Sequence, residues 1–446
     1  MPEKGQTANQ LKDLSIPCFR LLLLLVKFWM VEEHEKLIII GGGAAGFFAA
    51  ISAAEENPSA DITVLEGGTS VLRKVKISGG GRCNLTHHCF DPMELSKHYP
   101  RGSRELRGAF HHWQPKDTIE WFKKKGVETK TESDGRMFPV SNKSQTIIDC
   151  LQQSSRKLGV SVQLNQRVCG IVKENEKWKL HLSSGNTVTA KKVCLALGSL
   201  KQSHILDQLR KLGHTIHPLI PSLFAFNLPN HPMKDLSGLS VQNACIQTKP
   251  KGKTQSGPLL ITHRGLSGPA ILKSSAWDAK QLAEANYKFE VSINWLGYHS
   301  PQNLTDHFKI LRLEHPTQQI IQNPFPEIPK RLWSRLVSLT QIEKDMTWAH
   351  LSRGKSFDLQ NNLSDMRLKV DGKTTNKDEF VTCGGICLRE IDFRKMESTL
   401  HEGLFFAGEC LNIDGITGGF NFQAAWTTGR IAGQAMGKIN STETSS

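Results

Sequence analysis

Long apolar runs are missing from this 446-residue chain. The nearest approach, Phe19 to Val31, is broken by Arg20 and Lys27, which bracket only six apolar residues. A membrane span needs about 20 and a signal-peptide core about 7–15, so neither is expected. Met30 stands directly before VEEHEKLIII and reads as a native start, with residues 1–29 dispensable and 1–35 a tail outside the fold. An organellar presequence is the competing reading; otherwise the expected location is cytoplasmic. C-x-x-C is also absent. None of the ten cysteines makes that redox spacing, and Cys383 and Cys387 stand one residue too far apart for it. Thiols scattered through apolar segments suit a reducing compartment rather than a disulfide framework. His87, His88 and Cys89, with Cys83, match no standard zinc framework, so no metal is expected. The 56 Lys+Arg against 42 Asp+Glu leave a formal charge of +14, which favours anionic partners. Yet no basic arm or aromatic-interleaved stripe occurs, only short clusters at Lys123–Lys125 and Lys249–Lys253. A solvated basic surface, a small-molecule substrate and no nucleic-acid partner are the expectation; the oligomeric state is left open.

What is present begins at Lys36. Leu37 to Ile40 are four consecutive apolar residues, the pattern of a strand buried on both faces. Gly41, Gly43 and Gly46 follow as G-x-G-x-x-G, with Ala44 and Ala45 opening a helix-forming run to Glu56. Ile62 to Leu65 form a second strand closed by Glu66, twenty positions after Gly46. Strand, glycines, helix, strand and acid at this spacing make a dinucleotide-binding unit. Gly41 permits the tight turn, Gly43 a close approach of pyrophosphate, and Gly46 the packing of helix on strand. The helix N-terminus faces the pyrophosphate, and Glu66 would accept from ribose hydroxyls. No second such fingerprint occurs.

Two further glycine clusters look like parts of the same site. Ser78, Gly79, Gly80, Gly81, Arg82, Cys83 and Asn84 make a backbone able to curl round an anion or planar ring, with Lys74 close by. Near the C-terminus a buried strand ends in Gly408 and Glu409, followed by Gly418, Gly419, Phe420 and Asn421 at the start of a helix. Those helix N–H groups suit a flavin edge or phosphate, and Glu409 ribityl or phosphate-linked hydroxyls. Val193 to Leu197 read as another buried strand, ending at Gly198. Strands are expected at 161–164, 168–173, 178–182 and 187–190, an antiparallel crossover. In Pro258 to Ala270, His263 and Arg264 lack a structural explanation and are candidates for a pocket.

The stretches IIIGGGAAG, VKISGGGRCNLT, GRMFP, LLITHRGLSGPAIL, VTCGGICLREI, MESTLHEGLFFAGE and DGITGGFNFQAAWTTGR run from residue 38 to residue 430. With them the chain resembles the BaiN/RdsA-like NAD(P)/FAD-dependent oxidoreductases, also called the aminoacetone oxidase family of FAD-binding enzymes. It departs in having Leu72 where the family has Gly, and an abbreviated stretch at Ser199–His204 after Gly198. The resemblance implies an α/β fold, a Rossmann-like FAD-binding domain of the glutathione-reductase type carrying an inserted β-barrel plus helical domain. The expected boundaries are 36–200 and 366–446 for the FAD-binding domain, and 201–365 for the insertion, sheet at 201–300 and helices at 301–365. It also implies FAD as cofactor and hydride transfer between flavin N5 and an organic substrate or NAD(P)H, the latter a transient visitor. His263 is the preferred acid/base and Cys383 the alternative. Two rival expectations remain: an FAD-dependent RNA-modifying enzyme acting on transfer RNA, and a non-catalytic flavin-binding sensor.

Overall fold

The computed structural model describes residues 35–297, 300–374 and 381–439. The expectations for Met30 and residues 1–29 lie outside them. Lys36–Ile40 is an interior strand of a seven-stranded sheet, flanked in parallel by Asp61–Leu65 on one side and Lys192–Leu195 on the other. Leu404–Phe406 and Ser161–Gln163 extend the parallel part outwards. Leu37 to Ile40 are at most 2 % exposed, as a run without polar alternation requires. Ser161–Gln163 is therefore an edge of this sheet. It does not belong with the antiparallel trio Val168–Glu174, Lys177–Leu182 and Thr187–Ala190, because it pairs in parallel with Thr63 to Leu65. Alternation within a three-residue strand does not reveal its partner.

The helix Ala44–Glu56 follows the first strand and packs along the C-terminal helix Phe420–Gly437. Gly429, Gly433 and Gly437 make this close. A Cβ on each would lie 2.6, 2.2 and 2.7 Å from the carbonyl oxygens of Ala45, Ala49 and Ala53 in turn. Small residues every fourth position on both helices let the backbones touch. Phe47, Phe48 and Trp426 fill the flanks of this contact, each at most 1 % exposed.

The insertion is a second seven-stranded sheet, antiparallel throughout. Its order is Met366–Asp371, Lys288–Asn294, Ser240–Thr248, Gln255–Thr262, Gly265–Ser267, Ala225–Asn227 and Lys373–Thr374. The first and last strands are consecutive in the chain, joined only by Gly372, so the sheet closes on itself as a barrel. Its strands come from 225–374, and residues 201–215 pack instead into the core under the parallel sheet through Ile205 and Leu209. The helices Pro301–Glu314, Lys330–Leu339 and Arg353–Ser364 share one apolar cluster with the barrel, centred on Trp295, Trp333 and Trp348. Ile216–Ser222 and Val381–Ile386 pair antiparallel as the two-stranded connection between the domains.

Candidate functional site

The first strand hands over to its helix within three residues. Gly41 has φ +113°, and a Cβ there would lie 2.4 Å from the carbonyl oxygen of Ala196, so only glycine fits between the two strand ends. Gly46 is closed in the same way, with Gly41's carbonyl oxygen 1.9 Å from the position of a Cβ. Gly43 differs: nothing lies within 4 Å of where its Cβ would be. It caps the helix Ala44–Glu56, whose first turn holds no capping side chain and no acid, leaving its N–H groups to face that open space. Ala44 and Ala45 form this first turn. Glu66 is half-buried at the end of the second strand. Its carboxylate accepts from the N–H of Gly42 at 2.8 Å and of Gly68 at 2.7 Å, which fixes it beside the glycine turn.

The second glycine cluster ends the helix Arg73–Gly81, and Ser78, Gly79 and Gly80 leave helical geometry. Gly79, Gly80 and Gly81 are exposed, and a Cβ on Gly80 or Gly81 would meet nothing within 4 Å. Arg82 is held at the side, paired with Glu132 at 2.6 Å and stacked 4.0 Å over Phe138. The Cys83 side chain enters the core, and burial pushes its thiol to about 12. Asn84 bridges to the third cluster: its amide donates to the carbonyl of Thr86 at 3.2 Å and accepts from Gly419 N–H at 3.0 Å. Asn421 folds its amide back on Gly415, accepting and donating at 2.9 and 2.8 Å, and Phe420 stacks on His87 and His98.

The remaining members close the ring. Gly408 lies against Ala45, a Cβ there coming within 2.8 Å of the alanine methyl. Glu409 accepts from Lys74 Nζ at 2.6 Å and from Thr382 N–H at 2.9 Å, beside Gly198. Residues 41–46, 78–84, 198 and 408–421 are thus brought to one cleft. His263 is not among them. It sits on the exposed Thr262–Gly265 turn, at the Asn227 end of its strand pair, whereas Ser267 lies towards the domain connection. Cys383 is fully buried in the connecting strand, and burial raises its thiol. Sequence reasoning missed Thr382, whose N–H orients Glu409. It also missed Arg101 and Asp414. They pair across the two segments, with Asp414 also accepting from Ser222 Oγ at 2.8 Å and Arg101 Nη1 donating to Ala276 O at 2.7 Å.

The family model described as HI0933-like protein Rossmann domain matches residues 35–435. The chain belongs to this family. As a HI0933-like protein it is an FAD-dependent oxidoreductase, and the cleft fits that cofactor. The open space over Gly43, the uncapped helix end and the carboxylate of Glu66 are the three features a dinucleotide requires. Among curated proteins, the ribosomal RNA dihydrouridine synthase of Escherichia coli (strain K12) is 30% identical over 375 residues, 82% of this chain and 90% of the relative. The 3-dehydro-bile acid delta(4,6)-reductase of Clostridium scindens is 28% identical over 396 residues, 86% of this chain and 94% of the relative. Among solved structures, the likeness to 3-ketosteroid delta1-dehydrogenase from Sterolibacterium denitrificans has a TM-score of 0.47 at 11% identity. It covers 90% of this chain and 99% of that one.

Proposed function

We propose that this HI0933-like protein reduces a carbon–carbon double bond conjugated to a carbonyl group, drawing electrons from NADH or NADPH through its FAD. The observation that carries the reading is that two relatives aligned over more than four fifths of the chain are named for such reductions. Dihydrouridine is uridine with its 5,6 double bond saturated beside the 4-carbonyl, and a delta(4,6)-reductase removes double bonds conjugated to a 3-oxo group. Bound FAD supplies a two-electron carrier that accepts and returns hydride at N5. The chain does the rest. The helix N-terminus at Gly43 binds the pyrophosphate, Glu66 the ribose, and the glycines at 79–81 and 418–419 shape the wall beside the ring. The cleft between the parallel-sheet domain and the barrel is where a substrate would meet it. One nucleotide fingerprint supports a nicotinamide donor that visits and leaves.

Uridine within RNA is the second reading for the substrate, favoured by the named ribosomal RNA relative together with the +14 charge. Anaerobic mixing of the purified flavoprotein with NADH or NADPH tests the first half: the flavin should bleach. Reoxidation by a 3-oxo-Δ4 steroid or by uridine-containing RNA tests the second, the RNA reaction weakening steeply with salt. A flavin that no donor bleaches would leave the sensor reading in its place.

A further inference from the structure

Behind the segment 408–421 lies a cavity of about 420 Å³, none of whose walls comes from the glycine turn at 41–46 or the cluster at 78–84. Small-molecule sites run from about 300 to 1,000 Å³, so it is large enough to be one. It opens between the helix Ser103–His112 and the root of the two-stranded connection to the barrel. Glu105 comes from the first turn of that helix, His217 from the connecting strand Ile216–Ser222, and Leu388 and Arg389 from the turn after Val381–Ile386. Asn412 completes the wall, fixed by its N–H, which donates to Ile386 O at 3.0 Å. The spacing of these segments is tight. A Cβ on Gly102 would lie 2.6 Å from Ile413 and 3.5 Å from Leu388. Asn412 follows Glu409 closely in the chain, so the cavity adjoins the backbone that closes the cofactor cleft.

The polar groups of the wall are unevenly satisfied. Arg101 is committed, its guanidinium paired with Asp414 and donating to Ala276 O at 2.7 Å. Glu105, His217 and Arg389 make no hydrogen bond or ion pair with any described residue. Glu105 and His217 are half-buried, and Arg389 is exposed. Asn412 Oδ1 is buried and also unpaired, a state that is unfavourable and that calls for a donor. Each group selects part of one ligand. A guanidinium and an imidazole on one wall suit a phosphate. A carboxylate, which only accepts, suits ribose hydroxyls, and a carboxamide oxygen suits an amino group at the edge of a ring. Leu388 supplies apolar surface for that ring. A bare anion fits less well, since Glu105 repels it. A mononucleotide carries all the complementary groups together.

We propose that this cavity takes a ribose-phosphate half of the nicotinamide nucleotide donor, with Arg389 and His217 at the phosphate, Glu105 at the ribose hydroxyls and Asn412 Oδ1 at the amino group. The proposal rests on the reading in which NADH or NADPH reduces the flavin. Both halves of such a donor have this chemistry, the nicotinamide half through its carboxamide NH₂ and the adenine half through its 6-amino group. The site accounts for a chain with one dinucleotide fingerprint that holds a second nucleotide.

The test uses the FAD-loaded protein, in which the fingerprint at 41–46 is already filled, and titrates nicotinamide mononucleotide, 5′-AMP and inorganic phosphate by calorimetry. At least one mononucleotide should bind, the tighter of the two identifying the half, and inorganic phosphate should bind at least tenfold more weakly. Arg389→Met and Glu105→Gln should each weaken the mononucleotide at least tenfold. They should raise by a similar factor the NADH or NADPH concentration needed for half-maximal flavin bleaching. Flavin absorbance reports that each variant keeps its FAD, and the exposed Arg389 tests the site even if Glu105→Gln does not fold. No mononucleotide binding by the wild type, binding indifferent to either substitution, or phosphate bound as tightly as the mononucleotide overturns the proposal. Bleaching that proceeds while mononucleotide binding ignores the substitutions removes the site alone. Arg389-dependent binding to a flavoprotein that neither donor bleaches removes the donor reading alone.

Discussion

Gly43 and Gly46 are three residues apart and do opposite jobs. At Gly43 φ is −88° and a Cβ meets nothing, so Gly43→Val should fold with an unchanged apo melting temperature. The new side chain would occupy the space kept for pyrophosphate. FAD affinity should drop at least tenfold, about 1.4 kcal/mol, in a fluorescence titration. Gly46→Ala should behave the other way. Its methyl is driven into Gly41's carbonyl oxygen, an overpacking of about 1–3 kcal/mol read as a lower urea midpoint before any cofactor is added. Leu72 is a third special position, with φ +56° in the left-handed region that glycine adopts more readily, and its side chain is buried in the same apolar cluster as Val75 and Phe47. Acid sensitivity belongs to single residues too. His98 has a folded-state pKa of about 4 against an ordinary value of 6.5. The unfolded chain therefore binds a proton that the folded one refuses between those values, and stability should fall as pH drops through that window. His98→Phe should lose less stability than wild type between pH 7 and pH 5, measured by denaturant midpoint.

Elements explain which features could be read in advance. The strand–glycine–helix–strand–acid unit at 36–66 was legible because each part has a local cause: four apolar residues, a turn that only glycine can make, a short acid at fixed distance. The partner of Ser161–Gln163 was not, since pairing is decided by which sheet edge lies nearby. Nor was the Gly429, Gly433, Gly437 stripe, whose purpose depends on the alanine face of a helix almost 400 positions earlier. The Arg101–Asp414 pair was hidden for the same reason. Neither residue stands in a motif that names the other, and both gain meaning only when the helix Pro269–Trp277 docks between them and the barrel. Asp414 is fully buried; burial pushes its carboxyl up while Arg101 pulls it down. Arg101→Met would leave that carboxylate without its cation, costing about 3–5 kcal/mol at neutral pH by urea unfolding. At pH values below the ordinary aspartate range, where Asp414 is neutral in both states, the deficit should shrink to the part that comes from losing the Arg101 hydrogen bond to Ala276 O. It should grow as pH rises from there through the raised folded-state value.

At the scale of the molecule, the glycine-lined segments come from residues 41–46, 78–84 and 408–421, all on the parallel-sheet side, while the helix Pro269–Trp277 of the barrel domain is tied to that side by Arg101, which donates to Ala276 O. Cofactor and substrate should therefore act on different parts of the structure. Adding FAD to the apoprotein binds only the folded state, so at a concentration 100 times the dissociation constant it adds about 2.7 kcal/mol of stability. Hydrogen exchange should show where that stability goes. Protection should rise at 41–46, 78–84 and 408–421, because these backbones enclose the ligand directly, and through them along the paired helices Ala44–Glu56 and Phe420–Gly437. The barrel strands Ser240–Thr248 and Gln255–Thr262 pair with each other and pack into their own apolar cluster, apart from the one under the parallel sheet, so their exchange should stay as in the apoprotein. A substrate seated against the barrel should change that pattern by slowing exchange in the helix Pro269–Trp277, which Arg101 already ties to the FAD-binding side. Protection spreading evenly over the barrel on FAD binding alone would mean that the cofactor, and not the substrate, draws the two domains together.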